Sequence, residues 1–312
     1  MKFHQYLQNR HRKFDKDRLA LLLLGLPFII FIFMFAYVPL FGWAAAFFNY
    51  KPGLPINKLQ FTGLQYFRML FTSVGGNVSN ALINTLALSF FGLLCSVLPM
   101  VLAILLNEFR STKFKRLSQT ATTLPNFIGW VIVYSLAFAL FSQQGLMNDI
   151  LTKFGAISQP IRVLDNVKLV WFFQTALGVW KNTGWGAIIY FAAIAGIDQE
   201  QYEAATVDGA GRFAKVIHIT LPGLLPTFFV LLLLGIGNIL TAGGGLDQYL
   251  VFYNGLTAPK IETLDYFVYR VGMLANNYSY AIAVGIVKSV ISLTLLFSVN
   301  FLSKKVRGQS IF

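Results

Sequence analysis

The sequence predicts an all-α, polytopic integral membrane protein with six transmembrane helices and both termini on the cytoplasmic side. Three observations predict it. Hydrophobic residues make up 56% of the 312-residue chain and charged residues only 12%, against about 25% charged residues in ordinary soluble domains. So few charges could not cover the surface of a soluble chain, and the surplus apolar material needs lipid around it. Six stretches, 19–41, 82–106, 118–141, 168–194, 224–241 and 278–302, reach the roughly 20 mostly apolar residues that a bilayer span requires. Fifteen of the 25 lysines and arginines fall on one set of connections and the two ends, and eight on the opposite set. The richer set faces the cytoplasm, and six crossings return the chain to the side on which it began.

Taken in order, segment 1–18 holds six basic residues among Phe3, Tyr6, Leu7 and Phe14. That pattern fits an interfacial helix on the anionic inner leaflet and, equally, a solvated cytoplasmic tail. The first apolar run extends to Phe48, too long for one straight span, so Pro39 and Gly42 are expected to end the helix near the outer interface. Ala44-Ala45-Ala46 imitates a signal-peptidase site, but the apolar run is about twice the length of a signal peptide's core, and a retained helix is expected. Arg110, Lys113, Lys115 and Arg116 mark the inner connection between the second and third spans. The outer loops, about 49–81, 142–167 and 242–277, have room for short helices, and Gly243-Gly244-Gly245 is expected to end the fifth span. No repeat or linker divides the chain, so residues 1–312 are read as one transmembrane domain.

Several function classes are excluded. The formal charge of +13 is parcelled between apolar runs rather than gathered on a patch, which argues against nucleic acid. Cys95 is the single cysteine, so no internal disulfide forms. His4, His11 and His218 are too far apart to hold a metal. The chain has no GxxxxGK[ST] pattern and therefore no Walker loop of its own, nor a nucleophile–base pair that would suggest an enzyme.

The stretch between the fourth and fifth spans, residues 195–223, is polar and organised. Residues 199–207 are helix formers with an acid in the first turn, Gly209 and Gly211 permit a backbone reversal, and a short second helix from Arg212 is expected to stop at Leu221-Pro222. Glu203-Ala204-Ala205, three residues, Gly209, nine residues, then Ile219-x-Leu221-Pro222 resembles the coupling loop of the membrane subunits of ATP-binding-cassette importers. Asp208-Gly209-Ala210 resembles the carbohydrate-uptake branch. From about residue 20 onward the chain is similar to the LplB-type complex-carbohydrate permeases, relatives of the maltose transporter membrane subunits. Tyr37-Val38-Pro39, Leu105-Leu106-Asn107-Glu108, Leu124-Pro125-Asn126-Phe127, Trp180-Lys181, Tyr269-Arg270-Val271-Gly272 and Asn277-Tyr278-Ser279-Tyr280 carry that likeness.

The resemblance implies a type I importer permease fold in the inner membrane of a prokaryote. It implies that Glu203, Ala204, Ala205, Asp208, Gly209, Arg212, Ile219, Leu221 and Pro222 form a cytoplasmic loop that docks on an ATPase subunit, with Glu203 facing a basic residue there and Gly209 making the turn. It further implies a second related permease, two ATPase subunits that carry ATP and Mg, and an extracellular sugar-binding protein, with no cofactor on this chain. The cargo would be an oligosaccharide or complex glycan.

Polar groups within spans ask for a reason, because a charge at the bilayer centre is unfavourable by roughly 2.5–3.5 kcal/mol on insertion scales. Lys181 stands among Trp180, Asn182 and Trp185. Aromatic faces beside amide and ammonium donors suit a sugar, while a lysine tying helices together through backbone carbonyls suits the same pattern equally well. Lys288 reads more as an inter-helix tether, although it stays a candidate for the substrate path with Asn84 and Asn238. Asn84, Gln174 and Asn238 are weaker candidates than either lysine, since buried amides often serve as contacts between helices. The rival reading from another class is an ion-coupled secondary transporter or channel with Lys181 and Lys288 titrating. The inverted repeats usual in such carriers are not visible here.

Overall fold

A computed structural model of the protein describes residues 18–72, 78–242 and 245–307. The expected interfacial segment up to residue 17, with His4 and His11, and Gly243 and Gly244 lie outside the described residues. Within them the chain is helical without a strand, apart from an isolated antiparallel bridge between Phe48 and Phe61.

Helix α1, Arg18–Phe47, is one rod of 30 residues, and Pro39 does not end it as expected. Pro39 has no amide hydrogen for the carbonyl four residues back, and its ring crowds that carbonyl. The rod meets this by widening into a π turn at Phe33–Tyr37, where the Val38 amide reaches back to the Phe33 carbonyl, and then tightening into a 3-10 helix over Val38–Phe47. Gly42 lies within that tight stretch. Most of α1 stands away from the other helices, its apolar side chains exposed, and its Val38–Phe47 end packs on the last helix, α13, Tyr278–Arg307. Ser279 pins the junction: its hydroxyl donates to the Phe48 carbonyl at 2.7 Å and accepts from the Tyr50 amide at 2.9 Å.

The short helix α2, Gln65–Met69, precedes α3, Val78–Asn107, in which a 3-10 turn at Cys95–Val97 prepares the entry of Pro99. Helix α4, Thr112–Thr123, is capped by Ser111, whose Oγ accepts from the Phe114 amide at 3.3 Å. The third span expected over 118–141 is two helices. Pro125 withholds an amide hydrogen from the Ala121 carbonyl, the chain tightens over Leu124–Phe127, and Ile128 and Gly129 are extended before α5, Trp130–Phe141. Helix α6, Leu146–Lys153, follows.

Among the described residues, five helical stretches are long and apolar enough to cross a membrane: Arg18–Phe47, Val78–Asn107, Trp130–Lys153 (α5 and α6 with the turn between them), Arg212–Gly237 and Tyr278–Lys305. The stretch expected to be the fourth span forms α7, Val170–Ala195, of 26 residues, about 39 Å long but interrupted by Gln174, Lys181 and Asn182. Its position accounts for its composition. It packs against α3, α4, the Leu124–Phe127 turn and α9, so neighbouring helices rather than lipid surround much of it. Met100, Ala103, Ala187, Tyr190 and Leu224 form a buried cluster around one end, and Leu88, Val133, Val170 and Phe252 belong to another at the opposite end.

Beyond α7 come α8, Gln199–Val207, and α9, Arg212–Gly237. The short helix expected to stop at Leu221-Pro222 does not stop. A π turn over Val216–Thr220 absorbs the proline, and α9 continues through the stretch expected to be the fifth span, ending at Gly237. The His218 ring covers the Ala214 carbonyl, Nδ1 lying 2.9 Å away. Helices α10, Gly245–Phe252, α11, Ala258–Ile261, and α12, Leu264–Tyr269 then fold back over the end of the bundle remote from α8.

Candidate functional site

The connection between α7 and α9 is built from local signals. Asp198 caps α8, its carboxylate accepting from the Glu200 amide at 3.0 Å. At the other end Gly209 has φ +77°, the left-handed region in which a Cβ is resisted. The Ala210 amide donates to the Ala205 carbonyl at 2.8 Å and the Gly209 amide to Thr206 at 3.1 Å. That pair of bonds is the Schellman closure of a helix C-terminus. Gly211 then leads into α9 at Arg212.

Two side-chain ties hold α8 against α9. Lys215 Nζ donates to Thr206 Oγ1 at 2.6 Å, and the hydroxyls of Tyr202 and Thr220 are 2.9 Å apart. The hairpin keeps its shape from within, and what it shows outward is unpaired. Glu203 is exposed, with no hydrogen bond or ion pair among the described residues, and Val207 and Phe213 on either side of the turn are 88% and 77% exposed. Ala204, Ala205 and Asp208 line the same hairpin, while Ile219, Leu221 and Pro222 belong to its continuation into α9.

Of the intramembrane candidates, three meet at one place. Gln174 and Asn182 from α7 and Asn238 from the end of α9 line a cavity of about 300 Å³, with Ser89 and Cys95 from α3 and Gln248 from α10. Its wall carries amides and hydroxyls and no charged side chain. Asn182 accepts from Asn126 at 3.0 Å and donates to the Gly178 carbonyl, and Asn238 donates to the Leu234 carbonyl at 3.0 Å. Gln248 Nε2 donates to both the backbone and the side-chain oxygen of Gln174, at 2.9 and 2.8 Å.

The remaining candidates lie elsewhere. Lys181, 7% exposed, points to the break between α4 and α5. Its ammonium donates to the carbonyls of Asn126 at 2.6 Å and Pro125 at 3.2 Å, with the Trp130 ring 5.5 Å away. Trp180 and Trp185 are exposed on α7, the latter edge-on to Phe127. Asn84 is buried and donates to the Pro259 and Glu262 carbonyls. Lys288 is ion-paired with Asp265 of α12. Near that pair Tyr266 is held neutral, its pKa raised by burial first and then by Tyr253 and Glu262, against an opposing pull from Arg270.

The chain is matched among known proteins. Residues 95–308 match the family described as the binding-protein-dependent transport system inner membrane component. The chain belongs to that family. It is 38% identical over 296 residues to Protein LplB of Bacillus subtilis (strain 168), covering 94% of this chain and 91% of the relative. It is also 38% identical over 296 residues to the polygalacturonan/rhamnogalacturonan transport system permease protein YteP of the same organism, with 94% and 90% covered. Among solved structures, a chain of a bacterial alginate ABC transporter, in complex with an alginate pentasaccharide-bound periplasmic protein, superposes with TM-score 0.82. It is 31% identical, and the match covers 96% of this chain and 99% of that one.

The protein is therefore a multi-pass membrane permease subunit of a binding-protein-dependent ABC import system, non-catalytic, with ATP hydrolysis on a partner subunit. Sequence reasoning about this permease passed over residues that only contacts reveal. Gln248 and Asn126 are the partners of Gln174 and Asn182, and Asp265 is the partner of Lys288, from helices distant in sequence. Gly184 was missed as well: a Cβ there would stand 2.0 Å from the Thr122 carbonyl oxygen, so α7 and α4 cross in backbone contact. The likeness in Leu124-Pro125-Asn126-Phe127 was the available signal for the break that Lys181 serves.

Proposed function

We propose that the permease is one half of an ATP-driven importer for oligosaccharides, with a second related permease as the other half. It forms one integral-membrane domain that crosses six times, α7 included, and keeps both termini in the cytoplasm of a prokaryote. Two ATPase subunits, which hold ATP and Mg, lie beneath it, and an extracellular sugar-binding protein delivers the cargo. The observation that carries the reading is the α8–Gly209–α9 hairpin. It is braced internally, it offers an unpaired Glu203 side chain near a turn flanked by the exposed Val207 and Phe213, and it continues without a stop into a transmembrane helix. A push on such a hairpin passes into α9 directly, because the helix continues from Arg212 to Gly237, with only the π turn at Val216–Thr220 ahead of Pro222. In this reading Glu203 meets a basic residue of the ATPase, and the cavity holding Gln174, Asn182 and Asn238 is this chain's share of the path.

The oligosaccharide assignment is supported by YteP, named for polygalacturonan/rhamnogalacturonan transport, and by the alginate transporter with its pentasaccharide-bound periplasmic protein. The uncharged cavity wall agrees, since amides and hydroxyls suit sugar hydroxyls. Affinity purification from native membranes in mild detergent tests the assembly. An ATPase and a second permease should be recovered with the wild-type chain, and the ATPase should be lost with Glu203→Lys. A chain that came down alone, or an ATPase indifferent to the substitution, would overturn the docking role. Collapsing the proton gradient while ATP is maintained separates the ion-coupled carrier: uptake should continue, and its arrest would favour the carrier.

A further inference from the structure

The permease has a second, larger cavity that the function above does not use. It measures about 440 Å³ and lies at the end of the bundle remote from the α8–α9 hairpin, between the C-terminal part of α5, the segment 162–165 and the end of α10. Small-ligand sites commonly occupy about 300–1,000 Å³. Its wall is aromatic: Tyr134 and Phe138 come from successive turns of α5, and Tyr134 stands edge-on to Phe252 with centroids 5.1 Å apart. Apart from Asn254, whose Oδ1 accepts from the Leu256 and Thr257 amides, the polar lining is unspent. Gln143, Gln144, Arg162 and Asp165 all line the cavity, and none has a side-chain hydrogen bond or ion pair among the described residues. Arg162 and Asp165 are three residues apart in one small space and still do not pair. Elsewhere in this chain close opposite charges do pair, as Arg270 and Glu262 do at 2.7 Å.

We propose that this cavity is a glycan-holding site on the outer face, formed wholly within this chain, that receives one ring of the oligosaccharide before it enters the path. The inference rests on the reading of the permease as an oligosaccharide importer and adds a site to it. The chemistry is that of sugar recognition. A pyranose presents an apolar face of C–H groups to an aromatic ring, and its ring of hydroxyls needs donors and acceptors together. Two carboxamides, a guanidinium and a carboxylate supply both. An acyl chain would leave those four groups unmatched, and a simple anion would face Asp165. The site is about the length of α7 away from the hairpin, so it takes cargo at the end where the hairpin's ATPase does not sit.

The single cysteine makes the test clean. Cys95 is replaced by serine, and Ala139, which lines the cavity and is exposed, is changed to cysteine as a reporter. The assembled importer is placed in nanodiscs and maleimide labelling is followed with trigalacturonate, an alginate trisaccharide or arabinotriose, after each has been tried for uptake by the wild-type importer. The sugar that is imported should slow labelling at position 139 several-fold. Phe138→Ala or Arg162→Ala should abolish that protection and raise the half-saturating sugar concentration for uptake about fivefold, as a lost contact near 1 kcal/mol would. Import with unprotected labelling would overturn the site and leave the importer reading standing. Protection by the sugar-free binding protein alone, equal to that with sugar, would overturn it too, by making the cavity a protein contact. Import of none of the three by an assembled complex would sink the oligosaccharide reading and the site with it.

Discussion

The Lys181 ammonium lies 2.6 Å from the carbonyl oxygen of Asn126, and this contact joins the middle of α7 to the break between α4 and α5. A helix that ends at a proline-bearing turn leaves carbonyls without amide partners. In a membrane they cannot turn to water; a lysine from the neighbouring helix supplies the Asn126 carbonyl and adds a second donor to the Pro125 carbonyl, which also accepts from the Ile128 amide at 3.2 Å. Of the two readings the sequence left open for this charge, a sugar ligand or a tie through backbone carbonyls, the contact has the geometry of the tie.

Lys181→Met keeps the bulk of the side chain and removes the ammonium. The Asn126 carbonyl then loses its donor while that of Pro125 keeps the Ile128 amide, and an unsatisfied buried polar group is unfavourable by about 1–3 kcal/mol. The variant should insert into the membrane and melt several degrees lower in detergent, with Lys181→Arg recovering part of the loss. A melting temperature equal to wild type would show that the carbonyls find other donors.

Gly184 and Gly178 form a matched pair on one helix. A Cβ at 184 would lie 2.0 Å from the Thr122 oxygen, whereas at 178 the nearest atom, Gln248 Oε1, is 3.9 Å away. Gly184→Ala should therefore separate α7 from α4 and sharply reduce the yield of folded protein. Gly178→Ala should be stable or slightly more so, because alanine in a helix is favoured over glycine by about 0.5–1 kcal/mol. Size-exclusion profiles of the two variants decide it, and equal profiles would argue against the close crossing.

Nothing stands within 4 Å of a Cβ at Gly209, so strain there comes from the backbone alone. Left-handed conformation costs an L-residue about 1–2 kcal/mol, and β-branched side chains are the worst fitted. Gly209→Val should uncouple ATP hydrolysis from uptake while the protein remains in the membrane, with Gly209→Asn milder. Parallel loss of membrane-inserted protein would make the defect one of folding.

The Lys288–Asp265 pair ties α13 to α12. Removing one partner leaves the other charge in a partly buried place, whereas removing both does not. Thermal unfolding should rank Lys288→Met below the double variant Lys288→Met/Asp265→Asn. The reverse order would mean that the two charges contribute independently.

Much of the fold was open to reading because its causes are local. The apolar runs, the Gly209 turn and the hairpin it makes all depend on residues within a few positions of one another. Prolines misled for a different reason. Pro39 and Pro222 were expected to end helices, yet π turns ahead of each carry the helix through. Pro125, within an expected continuous span, does break it. At Pro125 the helix does not re-close, and Lys181 from α7 donates to the carbonyls of that break.

By itself the sequence determined that this chain lives in lipid, that it is helical, and that a glycine-turned hairpin with an exposed acid interrupts it between two long helices. Composition and short-range spacing are sufficient for these, since the partition into membrane and the reversal at Gly209 are properties of the segments concerned. Tertiary structure alone decided which polar residues face a cavity and which face backbone. It set Lys181 on the Asn126 carbonyl, Asn84 on Pro259 and Glu262, and Gln248 on Gln174. The same ammonium or amide is a sugar ligand or a structural tie according to what the folded chain brings within hydrogen-bond distance. The partners that decide it lie from 55 to 178 residues away along the chain.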